Sequence, residues 1–179
     1  AGGRSDSAER VVGVTAVGEG VQIASLEPDG CLRIWDESGK LSLEAPSQIG
    51  AAAILIALAP AGDRLIVADE RNAVSFLAIR RDDTGKTSLH RIGWEPGRHT
   101  GAIRAITFHP DGDLAVTAGD DGQAWLWDAR AGRALVRLGT HPGPISWATF
   151  SPAGDQVFTG GAEAWIRANR SGVRVMSAG

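Results

Sequence analysis

The chain has 179 residues, of which 43% are apolar and 22% charged, with a formal net charge of −3 and a pI of about 5.8. That is enough chain to bury the core of a globular domain, and the mildly acidic balance argues against a general nucleic-acid binder while leaving room for a local basic patch. One cysteine, Cys31, excludes an internal disulfide framework and a cysteine-based zinc site.

Taken from the N-terminus, residues 1–10 are expected to be a flexible lead-in, followed by a repeat array over 11–179. The chain begins at Ala1 without an initiator methionine, and its one methionine is Met176, so a fragment or a processed chain is expected. No signal peptide is visible. The first unit, near 11–46, carries Asp29-Gly30-Cys31-Leu32-Arg33-Ile34-Trp35-Asp36. The second, near 47–97, opens on the apolar run 51–59, about half the length that a membrane-spanning helix needs. Propensity alone favours a helix there, but the position of the run before Pro60-Ala61-Gly62-Asp63 assigns it to a strand. A polar insertion is expected over 80–87, where Thr84-Gly85-Lys86-Thr87 echoes the end of a phosphate-binding loop. The glycine that such a loop needs five positions earlier is Arg80, so a solvated hairpin loop is the expectation.

The third unit, near 98–139, is the most regular. Residues 102–108 form a first strand and Pro110-Asp111-Gly112-Asp113 turns the chain into a second at 114–118. Asp120-Asp121-Gly122 makes a tight hairpin turn into a third strand at 123–128, and the loop 129–132 leads to a fourth at 133–138. The fourth unit, near 140–179, repeats the start of this pattern with a shorter turn between its second and third strands. Asn169-Arg170-Ser171 matches a glycosylation sequon by form only.

Three landmarks fix the period. Asp29 to Asp36 matches Asp121 to Asp128 at an offset of 92, about two periods of 46. Phe108-His109-Pro110-Asp111-Gly112-Asp113 recurs as Phe150-Ser151-Pro152-Ala153-Gly154-Asp155, with a weaker copy at Leu58-Ala59-Pro60-Ala61-Gly62-Asp63. His99-Thr100-Gly101-Ala102-Ile103 recurs 42 residues later as His141-Pro142-Gly143-Pro144-Ile145. A period of this size, with four strands to each unit, marks a repeat architecture.

These residues resemble the WD-repeat (WD40) family of β-propellers, from about residue 11 to 176. The resemblance implies an all-β fold of about four blades, each of four antiparallel strands. Trp35-Asp36 and Trp127-Asp128 fill the Trp-Asp signature; Arg98-His99 and Thr140-His141 stand at the Gly-His position. The resemblance also implies a buried network of Asp, His, Ser or Thr, and the Trp indole. His99, Thr117, Asp121 and Trp127 match it throughout; Ser25, Asp29 and Trp35 match it without a histidine; His141 and Thr159 match its first half. Arg71-Asn72 and Leu77-Ala78 replace the motif in the second unit, and Arg167-Ala168 are expected at the Trp-Asp site of the fourth, so these blades are expected to be less rigid. About four blades make a tight ring, so the array is expected to belong to a longer ring or to be completed by a second copy or a sister chain, with a small four-bladed ring ranked last.

His99, Thr117 and Asp121 look superficially like a hydrolase triad, but their spacing fits the structural network, and His99 and His141 recur with the period rather than with metal-ligand spacing. No catalytic, metal-binding or cofactor-binding residues are expected. Trp125 should pack between blades, and core packing is the expectation for Trp94, Trp147 and Trp165. By resemblance, partners dock where the first strands begin and the turns between second and third strands gather, which points to Arg104, Asp120, Ser146 and Trp147. The expected function is a non-catalytic protein-interaction scaffold for protein or peptide partners, the sensing or docking region of a larger cytoplasmic bacterial signalling protein, with no nucleic-acid or membrane partner. The 16 arginines against 2 lysines suggest the bacterial source. The alternative, an enzyme or small-ligand binder using the central channel, has only Ile54, Arg104 and Ser146 at equivalent first-strand positions.

Overall fold

The computed structural model describes residues 23–26, 31–35, 38–46, 53–84, 87–161 and 166–170. These are all strand, turn and loop, and no helix among them is long and apolar enough to cross a membrane. The first sheet holds β1 (Ile23–Leu26), β2 (Cys31–Trp35) and β3 (Leu41–Pro46). The second holds β4 (Ala53–Leu58), β5 (Arg64–Asp69), β6 (Val74–Arg81) and β7 (Thr87–Glu95). The third holds β8 (Ile103–Phe108), β9 (Leu114–Gly119), β10 (Gln123–Asp128) and β11 (Arg133–Thr140), and the fourth β12 (Trp147–Phe150), β13 (Gln156–Gly160) and β14 (Ile166–Arg170). Every pairing is antiparallel between strands adjacent in sequence.

The punctuation seen in the sequence makes these meanders. Gly62, Gly112 and Gly154 all adopt positive φ in the turn after a first strand, and each amide donates to the carbonyl three residues back. The alanine- and leucine-rich β4 is a strand, not a helix, because its apolar side chains are claimed by neighbouring sheets on both faces. The insertion expected over 80–87 is partly strand, since Arg80, Arg81 and Thr87 extend the β6–β7 ladder.

The sheets stack face to face around the first strands. β8 lies against both β4 and β12, and the outer strand β7 touches β3 and β11. Apolar side chains fill each space between sheets: Ala24, Leu32 and Ile34 meet Ile56, Leu65 and Leu77; Ile66 and Phe76 meet Ile103 and Trp127; Val116 and Leu126 meet Phe150 and Val157. At the outer end, a Cβ on Gly93 would collide with the Gly132 backbone, so glycine lets the second and third sheets approach there. This is the blade stacking of a propeller of the WD40 type.

The backbone register corrects two expectations for the fourth unit. Val157 pairs with Asn169 as Ala115 pairs with Trp127, and Gly160 pairs with Ile166 as Ala118 pairs with Ala124. The turn is therefore no shorter than in the third unit, and Asn169-Arg170, not Arg167-Ala168, occupy the Trp-Asp register. Without a tryptophan to mark the position, the strand could be anchored only by its ladder.

Candidate docking face

The third sheet owes its rigidity to one chain of buried hydrogen bonds. The Trp127 indole N–H donates to Thr117 Oγ1 at 2.8 Å, and Thr117 Oγ1 stands 2.8 Å from His99 Nε2. His99 Nδ1 lies 3.0 Å from the Asp121 carboxylate. An indole only donates, so Thr117 accepts from Trp127, and a carboxylate only accepts, so the His99 Nδ1 proton is directed at Asp121. In neutral His99, the form that burial favours, Nε2 then accepts the Thr117 hydroxyl proton. Burial pushes the His99 pKa below its ordinary 6.5, and outweighs the pull of the Asp121 charge and hydrogen bond. Asp121 also accepts the Thr100 and Gln123 backbone N–H groups at 2.9 and 3.0 Å, which ties the segment before β8 to the β9–β10 turn. Thr117 and Trp127 are fully buried, so the hydroxyl is packed in the sheet where no substrate reaches it.

The other units keep parts of this arrangement. In the first, the Trp35 indole reaches Ser25 Oγ at 3.4 Å, and Asp29 lies outside the described residues. In the fourth, His141 Nε2 lies 2.9 Å from Thr159 Oγ1. In the second, Val67 and Leu77 stand in the register of Thr117 and Trp127, both buried in the apolar core shared with the first sheet. An apolar pair leaves no polar group unsatisfied, which removes the physical ground for expecting a looser second sheet. Its turn is held by Asp69, whose Oδ1 accepts the backbone N–H groups of Arg71 and Ala73 at 2.9 Å each, with Asn72 at φ 61° in place of Gly122. Asp69 was legible as an aspartate two residues ahead of Arg71-Asn72, the spacing of an Asx turn.

His109 also escaped the sequence reading, where it stood only as part of a turn landmark. Its Nε2 lies 3.1 Å from the Gly154 carbonyl and its ring meets the Phe150 ring edge-on, so it staples the lower turns of the third and fourth sheets. The signal was its place next to the turn proline.

At the upper end, the first strands begin with a bulge. Arg104 is the extra residue between Ile103 and Ala105, and Ile54 is its counterpart in β4. A bulge re-aims its side chain out of the ladder. Arg104 forks onto Asp120, with Nε to Oδ1 at 2.9 Å and Nη2 to Oδ2 at 2.5 Å, while its own side chain stays 55% exposed. The Arg104 hydrogen bond holds the Asp120 carboxyl below its ordinary range. Ser146 is exposed one residue before β12, its amide donating to the Gly160 carbonyl at 2.9 Å.

Trp147 corrects the expectation of core packing. It is 40% exposed, with one side of its ring laid over Gly160, where a Cβ would collide with the indole. Trp94 is likewise exposed, because it stands on the outermost strand of its sheet, opposite Ser75. Trp125 packs at the margin of the core between the second and third sheets with the Arg98 guanidinium 5.5 Å from its ring centroid. Trp165 lies outside the described residues. Among the described residues, no three His, Cys, Asp or Glu side chains gather in a way that could hold a metal ion.

Residues 94–128 match the family described as WD domain, G-beta repeat. The matched stretch spans the whole network from His99 to Trp127 and both members of the Arg104–Asp120 pair. The chain is also 28% identical over 134 residues to Cilia- and flagella-associated protein 43 of Chlamydomonas reinhardtii, across 69% of this chain and 8% of that protein. It is 48% identical over 40 residues to Small ribosomal subunit protein RACK1 of Caenorhabditis elegans, across 22% of this chain and 12% of that protein. The matched stretches thus cover only a small part of either relative. Together these similarities support a WD-repeat reading of the chain.

Proposed function

We propose that the chain is a non-catalytic docking scaffold that presents the upper ends of its blades to a protein or peptide, as the sensing or docking region of a larger bacterial signalling protein in the cytoplasm. The exposure of Trp147 carries the reading. An indole bedded on one side against Gly160 and open on the other is a rigid aromatic anchor at low entropic cost. Arg104 and Asp120 stand at the head of the neighbouring sheet and add a charged pair of fixed geometry. Further blades or a second copy of the chain would complete the ring and extend the same face. The arginine-rich, lysine-poor composition supports the bacterial source.

The test is affinity capture with the full-length protein from its own cells, with the wild type and an Arg104→Glu/Trp147→Ala variant compared at matched thermal midpoints. A partner held by the wild type and lost from the variant is the expected result. Retention of the same proteins by both would remove this face from the function. Fractionation of the same cells checks the cytoplasmic location.

A further inference from the structure

The stack of sheets ends in two open faces. On the fourth sheet, Phe150 and Val157 face the third, so the alternating Trp147, Thr149 and Phe158 point the other way. Phe158 stands in the register of Ala24, Ile66 and Val116, each wholly buried beneath the sheet that follows. Phe158 is larger than any of them and stays partly exposed, beside an exposed Thr149 and Trp147.

The first sheet is open on its opposite side. Ala24, Leu32 and Ile34 face the second sheet, which turns Ser25, Arg33 and Trp35 away from it. Trp35 is partly exposed at the register where Leu77 and Trp127 are wholly buried against the sheet before them. Among the described residues, no apolar cluster joins the first sheet to the fourth. Each internal interface lays one kind of face on the other, and the two ends of the stack carry one of each.

Their side chains also complement one another. Trp147 takes the register of Leu55, which packs in the same apolar cluster as Trp125, and Arg33 takes the register of Trp125. The exchange puts a ring where an aliphatic chain stood and a guanidinium where the ring stood. Glu44 holds Arg33 at 2.8 Å by one edge, which leaves the flat face of the guanidinium for an aromatic ring.

We infer that the fourth sheet docks on the first sheet of a second copy of this chain, with Trp147 against Arg33 of that copy. The inference rests on the reading of Trp147 as an anchor and names its partner. Two copies related by a two-fold axis make this contact twice, and four sheets from each close a ring of eight, within the usual range of blades. One partner thus covers both open faces, and the Arg104–Asp120 pair stays at the head of its sheet for other proteins.

The experiment is the mass of the 179-residue chain by light scattering after size exclusion, at about 1–100 μM. Twice the chain mass of 18.6 kDa is expected; a monomer throughout, or an open series of larger species, overturns the inference. Trp147→Arg sets two guanidiniums against each other, and Arg33→Glu sets an acid against the indole face. Each variant alone should raise the dimer dissociation constant at least about tenfold with an unchanged thermal midpoint. Mixed, they should dimerise again, because one interface is then wild type and the other joins an arginine to a glutamate. Should Arg33→Glu unfold, Arg33→Gln replaces it and should regain affinity with Trp147→Arg through the one wild-type interface. A mixture that stays monomeric overturns the inference, as does a folded single variant that dimerises like the wild type. Arg104→Glu should dimerise normally. A monomer that still captures its protein partner through Arg104 sinks this inference and leaves the docking reading standing; a dimer that captures nothing does the reverse.

Discussion

The second and third sheets share strand order, the register of their first three strands and a bulge at the head of the first strand, yet different chemistry fills the same place between their second and third strands. In the third sheet it is Thr117 and Trp127 wired to His99 and Asp121; in the second it is Val67 and Leu77. The difference teaches that a blade needs this place filled and satisfied, not filled by one residue set. A polar set requires all its members, because any survivor left unpaired in a dry interior is costly. An apolar pair requires only volume.

The comparison can be broken most forcefully at its largest side chains. Trp127→Ala removes a fully buried indole and one of the two hydrogen bonds of the Thr117 hydroxyl, and is expected to cost about 3–5 kcal/mol; Leu77→Ala opens a smaller cavity at the same register and should cost about 2–5 kcal/mol. Urea unfolding measures both, and a Trp127→Ala cost clearly below that of Leu77→Ala would deny the network its weight. Next in size is an exchange of the near-isosteric pair. Thr117→Val leaves His99 Nε2 and the Trp127 indole buried without a partner, for a loss of about 2–4 kcal/mol. Val67→Thr places a hydroxyl in an apolar core and should cost about 1–3 kcal/mol. Two neutral exchanges would mean that the polar and apolar fillings are interchangeable atom by atom.

The smallest effect concerns pH. Burial lowers the His99 pKa, so the unfolded chain binds a proton at higher pH than the folded one does. The stability contributed by neutral His99 is therefore fully present above 6.5 and is lost as pH falls from 6.5 toward the folded-state value. Urea midpoints of the wild type should decline over that window more than those of His99→Asn. Equal slopes would show that His99 does not carry the dependence.

Much of this was legible because it is local. Gly112, Gly122 and Gly154 mark turns whose positive φ only certain residues tolerate, and the recurrence of those turns set the strands. The spacing of His99, Thr117, Asp121 and Trp127 was readable for a related reason: side chains from the segment before β8, from β9, from the β9–β10 turn and from β10 have to meet in a single place. Asp69 and His109 sit in equally local signals but were given no role, the first passed over and the second taken only as part of a turn landmark.

The sequence by itself determined the all-β class, the period, the turns and the polar wiring of the third unit. All of these rest on interactions within a unit or on backbone limits at single residues. Only the tertiary structure decided that Trp94 and Trp147 face outward, that Asn169 rather than Arg167 holds the tryptophan register, and that Arg64 and Arg130, from different sheets, meet at Asp113. Exposure, register and convergence depend on which sheet lies beside which. Residues as far apart as Asp63 and Arg130 become neighbours only when the sheets stack.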